Sequence, residues 1–129
     1  MSKRNLLFAI ILFAGCTKPL KADNTPVNLT IIKTETPQTQ KRGENIISQV
    51  TCSGENLCYQ FTNFVVNQTA QTEYEIRAMG SYPNNPTECL QAIYYKGTAV
   101  KTDAAVKGQY LLHFINHNTI FKTDTVQVN

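Results

Sequence analysis

QYLLHFINHNTIFKTDTVQV, residues 109 to 128, is the stretch on which the fold turns. Tyr110, Leu112 and Phe114 alternate with Leu111, His113 and Ile115. That period of two sends successive side chains to opposite faces of a strand. NHNT, residues 116 to 119, is rich in turn formers, and Ile120 to Val128 then returns with Val126 and Val128 on one face. The stretch therefore reads as a β-hairpin that closes a domain.

Upstream of this hairpin, short apolar-alternating runs are separated by Gly, Pro, Asn and Thr, and no window sustains a helical period. VNLTIIKT (27–34), NIISQVTC (45–52), LCYQFTNFVV (57–66), EYEIRAMG (73–80) and CLQAIYY (89–95) read as strands. With the two arms of the hairpin they give about seven, the number and length that suit an all-β, antiparallel β-sandwich over residues 27–129. TDAAVKGQYLL, residues 102 to 112, resembles the tyrosine corner of immunoglobulin-like domains, and Tyr110 stands where the corner tyrosine would. The resemblance implies that its hydroxyl bonds back to upstream backbone. Leu112 occupies the place of the second cysteine of antibody domains, and the chain has no Trp, so the usual inter-sheet disulfide and its tryptophan are not expected.

The N-terminus carries a different signal. Lys3 and Arg4 precede an apolar run from Leu6 to Gly15, ten residues long, whereas a helix needs roughly 20 to span a bilayer. A short apolar run behind positive charge is the pattern of a secretory signal peptide. Phe13-Ala14-Gly15-Cys16 closes that run and resembles the lipobox of bacterial lipoproteins, with Phe13 where Leu is more usual. The resemblance implies cleavage after residue 15 and acylation of Cys16 with diacylglyceryl and palmitate chains, each methylene contributing roughly 0.8 kcal/mol of membrane binding. It also implies a cell-envelope protein. Thr17, not Asp, follows Cys16, which under the common sorting rule points to the outer membrane. Residues 16–26, TKPLKADNT among them with Pro19, then form a flexible tether.

Of 129 residues, 15 leave with the signal and 114 remain, a length for one domain. Removing Lys3 and Arg4 from 12 Lys+Arg, against 9 Asp+Glu, leaves a net charge of +1. That near-neutral balance lacks the basic footprint of a nucleic-acid binder.

Three cysteines travel with the exported part: Cys52, Cys58 and Cys89. In an oxidising compartment one pair should close. A hairpin over Ser53 to Leu57 would bring Cys52 opposite Cys58, which is the preferred pairing. Cys89 joined to either would instead staple distant strands, and both arrangements stay open. His113 and His117 lie about 13 Å apart along a strand, and no cysteine pair has zinc-site spacing, so neither a metal nor another cofactor is expected.

The sequence also lacks a nucleophile elbow and a phosphate-binding glycine loop. Glu73 and Glu75 share one face of a strand, an arrangement expected of a solvated face with Tyr74 and Ile76 inside. No catalytic residue is therefore assigned. YPNNPTE, residues 82 to 88, cannot continue a strand and forms a loop, which makes Tyr82, Asn84 and Asn85 candidate binding residues. Tyr95 joins them, because Tyr94 and Tyr95 face opposite sides of one strand. Asp124-Thr125-Val126 resembles a short bacterial O-glycosylation acceptor. The expected protein is a lipid-anchored, non-catalytic binding or scaffolding module whose partner is an envelope protein or glycan. The other reading is a small β-barrel that carries an apolar ligand.

Overall fold

The computed structural model describes residues 23–86 and 88–129, and within them the chain forms nine strands. The expected signal peptide, Cys16 and most of the expected tether lie outside the described residues. The strands are β1 (Asn24–Asn28), β2 (Thr30–Glu35), β3 (Thr39–Gln40), β4 (Ile46–Gly54), β5 (Gln60–Ala70), β6 (Glu73–Pro83), β7 (Tyr94–Thr102), β8 (Gly108–Asn116) and β9 (Thr119–Val128). They build a sandwich of two sheets. One holds β1, β5, β6, β8, β9 and β3, and the other runs β2-β4-β7.

The nine strands replace the expected seven for two reasons. VNLTIIKT does not run as one strand. Leu29 is the breakpoint: β1 pairs with β6, and β2 leaves for the other sheet to pair with β4. Leu29 is buried there at 2% exposure, its amide donating to Ala78 O at 2.9 Å. Gly80 makes the crossing possible, since a Cβ at that position would stand 2.5 Å from Gln60 O and 2.9 Å from Leu29 Cγ. Pairing also begins at Asn24, so residues 24–26 belong to the fold and not to the tether. β3 is the second addition, a two-residue strand beside β9.

Nor is the sandwich wholly antiparallel. β6 lies parallel to β8, and β3 parallel to β9. Parallel neighbours need a long connection. Between β6 and β8 the chain supplies one by passing through β7 in the opposite sheet.

The core follows from alternation. β4 buries Ile46, Ser48, Val50 and Cys52, β6 buries Tyr74, Ile76 and Ala78, and β8 buries Tyr110, Leu112 and Phe114. β9 adds Asp124, Val126 and Val128 from the same face. Asn116 locks the sheets together at the end of β8. Its carboxamide accepts from Ile31 N at 2.7 Å and donates to Ile31 O at 2.8 Å, doing for β2 what a neighbouring strand would do. At the opposite end of β8, Tyr110 Oη donates to Val106 O at 2.9 Å and accepts from Val106 N at 3.2 Å.

Candidate functional site

The candidate site lies at the end of the sandwich where β4, β6 and β8 finish. Two connections meet there: residues 55–59, which cross from β4 to β5, and residues 84–93, which cross from β6 to β7. The disulfide between Cys58 and Cys89 joins them, with Cα atoms 5.4 Å apart. Leu57 N donates to Leu90 O at 3.2 Å beside it.

This pairing corrects the preferred Cys52–Cys58 bridge. β4 and β5 sit in different sheets, so Ser53 to Leu57 is a crossing and not a hairpin, and Cys52 never comes opposite Cys58. Cys52 is a free thiol with no exposed surface, held in the core with Sγ 3.6 Å from Lys96 O. Burial pushes its pKa above the ordinary thiol value, against a smaller opposing pull from backbone hydrogen bonding.

The crossing is built locally. Asn56 Oδ1 accepts from Cys58 N at 2.9 Å, an Asx turn that reverses the chain. Tyr59 then lies against β4, where a Cβ on Gly54 would meet its Cγ at 2.5 Å. Only glycine lets that ring sit so close. Tyr82 packs on it, ring centroids 4.8 Å apart, with its hydroxyl 3.6 Å from Cys89 Sγ. Two tyrosines thus support the disulfide from below.

Large apolar side chains are exposed at this end, among the carboxylates of Asp23, Glu55 and Glu88. Leu57 is 43% exposed, Leu90 72%, Ile93 55% and Tyr95 59%. A pocket of ≈ 400 Å³ opens beside Ile93, lined also by Asn28, Thr30, Ser53, Glu55, Tyr59 and His117. His117 sits in the β8–β9 turn with φ at 55°, a conformation that histidine tolerates better than most residues.

Of the residues proposed from sequence, the structure gathers all four candidates at or near this end, in unequal roles. Tyr95 is exposed on the outer face of the three-stranded sheet, paired across to Ser53. Tyr82 is half-buried at the end of β6, which continues to Pro83, so it supports the loop from beneath. Asn84 donates its amide to Asp23 O at 3.0 Å and bonds to the Thr25 hydroxyl, holding β1 in place. Asn85 is exposed. Leu57, Leu90 and Ile93 were missed because LCYQFTNFVV and CLQAIYY both alternate like strands from their first residue, whereas β5 begins only at Gln60. β7 begins only at Tyr94, and residues 89–93 spend their backbone bonds on the loop, as in Ala92 N to Leu90 O at 2.9 Å.

Elsewhere several polar groups are engaged in structure, whereas the buried Thr102 hydroxyl has no hydrogen-bond partner among the described residues. Asp124 accepts from the hydroxyls of Thr34 at 2.8 Å and Thr36 at 2.6 Å and pairs with Lys122 Nζ at 3.2 Å. In the DTV stretch only Thr125 is exposed. Glu73 and Glu75 are half-buried on the outer face of β6, Glu75 3.7 Å from Arg77 and Glu73 3.9 Å from His113. Among the described residues no three of His, Cys, Asp and Glu converge as metal ligands.

No family model, no curated protein and no solved structure matches the chain.

Proposed function

We propose that the protein is a lipid-anchored cell-envelope lipoprotein, held in the outer membrane by Cys16, whose sandwich is a non-catalytic binding or scaffolding module acting through its disulfide-stapled end. One observation carries the choice of surface: Leu57, Leu90 and Ile93 are exposed on the two loops that the Cys58–Cys89 disulfide joins, with Tyr95 exposed at the adjoining start of β7 and the rings of Tyr59 and Tyr82 in tilted contact beneath. Apolar side chains gathered on a surface mark an interaction site. A platform ordered before contact loses little entropy on binding.

The packing of the interior favours this reading over carriage of an apolar ligand. A carrier needs an internal cavity. Here Tyr110, Phe114, Leu112, Ile76 and Ile31 fill the space between the sheets, each less than 2% exposed. An immunoglobulin-like kinship is part of the proposal. Its support is the hydrogen bonding of Tyr110 to Val106 and the division of β2, β4 and β7 from β5, β6, β8 and β9. β6 in the place beside β8, with β5 outside it, is this chain's own departure from the immunoglobulin order.

The test is fractionation of cells beside protease shaving of intact cells. The native chain is expected in the outer membrane, and Cys16→Ala in the soluble fraction. Equal fractionation of the two would overturn the anchor. Digestion on whole cells would set the partner outside, and protection would set it in the periplasm.

A further inference from the structure

We infer that the disulfide-stapled end contacts the bilayer itself, so that the domain stands end-on to the membrane with Leu57, Leu90, Ile93 and Tyr95 in the interfacial layer. This rests on the lipoprotein reading and names the partner of its surface.

The path of the chain is the first support. Asp23 is tied to Asn84 and β1 starts opposite Pro83, so the chain enters the fold at the same end as the stapled loops. Asp23 is seven residue steps beyond Cys16, and even fully extended that length reaches about 25 Å. β6, 11 residues long, measures about 35 Å from that end to the far one. A tether shorter than the domain bars the inverted orientation, with the far end toward the bilayer, and holds the stapled end within its own reach of the membrane.

The chemistry of the surface is the second support. Leu90 at 72% and Ile93 at 55% exposure gain by leaving water for the boundary between headgroups and acyl chains. Tyr95, at 59%, is suited to the same layer, its ring apolar and its hydroxyl wet. Charge does not draw the surface to anionic lipid, since the exposed Asp23, Glu55 and Glu88 lie at this end. The attraction is apolar and works because the lipid on Cys16 has already brought the domain to the surface.

The chain has no Trp, so a single introduced indole reports its own depth. Leu90→Trp, Ile93→Trp and, at the opposite end beside the start of β8, Lys107→Trp replace exposed side chains and should fold. Each full-length, lipidated protein is placed on phosphatidylcholine vesicles doped with lipid brominated along its acyl chains. Indole within the outer ~5–10 Å of the bilayer should lose roughly half or more of its emission and shift to the blue at positions 90 and 93, while position 107 keeps its emission. Equal, weak quenching at all three positions on protein that still floats with the vesicles would overturn the inference and direct the surface to a protein or glycan. Flotation of Cys16→Ala as strongly as the native chain would overturn the anchor instead, so the two failures are distinguishable.

Discussion

Asp124 brings a carboxylate into the sandwich at 9% exposure, and it holds because Thr34, Thr36 and Lys122 satisfy it. The hydroxyls of Thr36 and Ser48, 2.8 Å apart, extend the cluster from the β2–β3 link to β4. Asp124→Ala would take the acceptor from the buried Thr34 hydroxyl and leave the half-buried Thr36 hydroxyl only Ser48, and should cost about 2–3 kcal/mol in a urea unfolding curve. The alternation of β9 puts Asp124 on the face of Val126 and Val128, but nothing local shows what satisfies a carboxylate there, because the two threonine hydroxyls come from some 90 residues upstream. Cys52 and Tyr74 make a second prediction. Burial raises both pKa values, from 9.0 for the thiol and 10.0 for the phenol, Asp103 adding to the effect at Tyr74. The fold favours the neutral forms, so the unfolded chain releases these protons first as pH rises. Their contribution to stability is whole below about pH 9 and is lost as pH climbs through the folded-state values. Urea midpoints taken from neutral to alkaline pH should fall, and Cys52→Ala should remove part of the decline.

At the scale of elements, the Cys58–Cys89 bridge closes 31 residues. The chain-entropy relation for a loop of that length gives about 3–4 kcal/mol. Reduction, or Cys89→Ala, should lower stability by that order in thermal melts and release residues 84–93 from residues 55–59. A loss well under ~1 kcal/mol would mean that hydrogen bonds such as Leu57 N to Leu90 O already hold the loops. The hairpin of β8 and β9 is legible in the sequence because period and turn chemistry are local, and its arms alternate as read except at a bulge between Phe114 and Ile115, where both side chains are buried. What is not local is not legible. The switch of sheet at Leu29 depends on Gly80, some fifty residues away, and the choice of Cys89 over Cys52 depends on which sheet β5 joins. Residues 89–93 mislead in the other direction, their alternation imitating a strand while Leu90 and Ile93 stand in solvent.

For the whole molecule, the sandwich, the entry point of the chain and the apolar end belong to one arrangement. The sheets bury a filled core, the chain enters beside the stapled loops, and the tether is shorter than the domain. That arrangement suits a chain held at its own N-terminus by lipid on Cys16, as proposed above, and this proposal is the central claim. The mass of the mature protein, extracted from membranes with detergent, tests it most directly. The account predicts a chain beginning at residue 16 and heavier than its sequence by the acyl groups on Cys16. A mature chain of unmodified mass, or one that begins at any other residue, would contradict it.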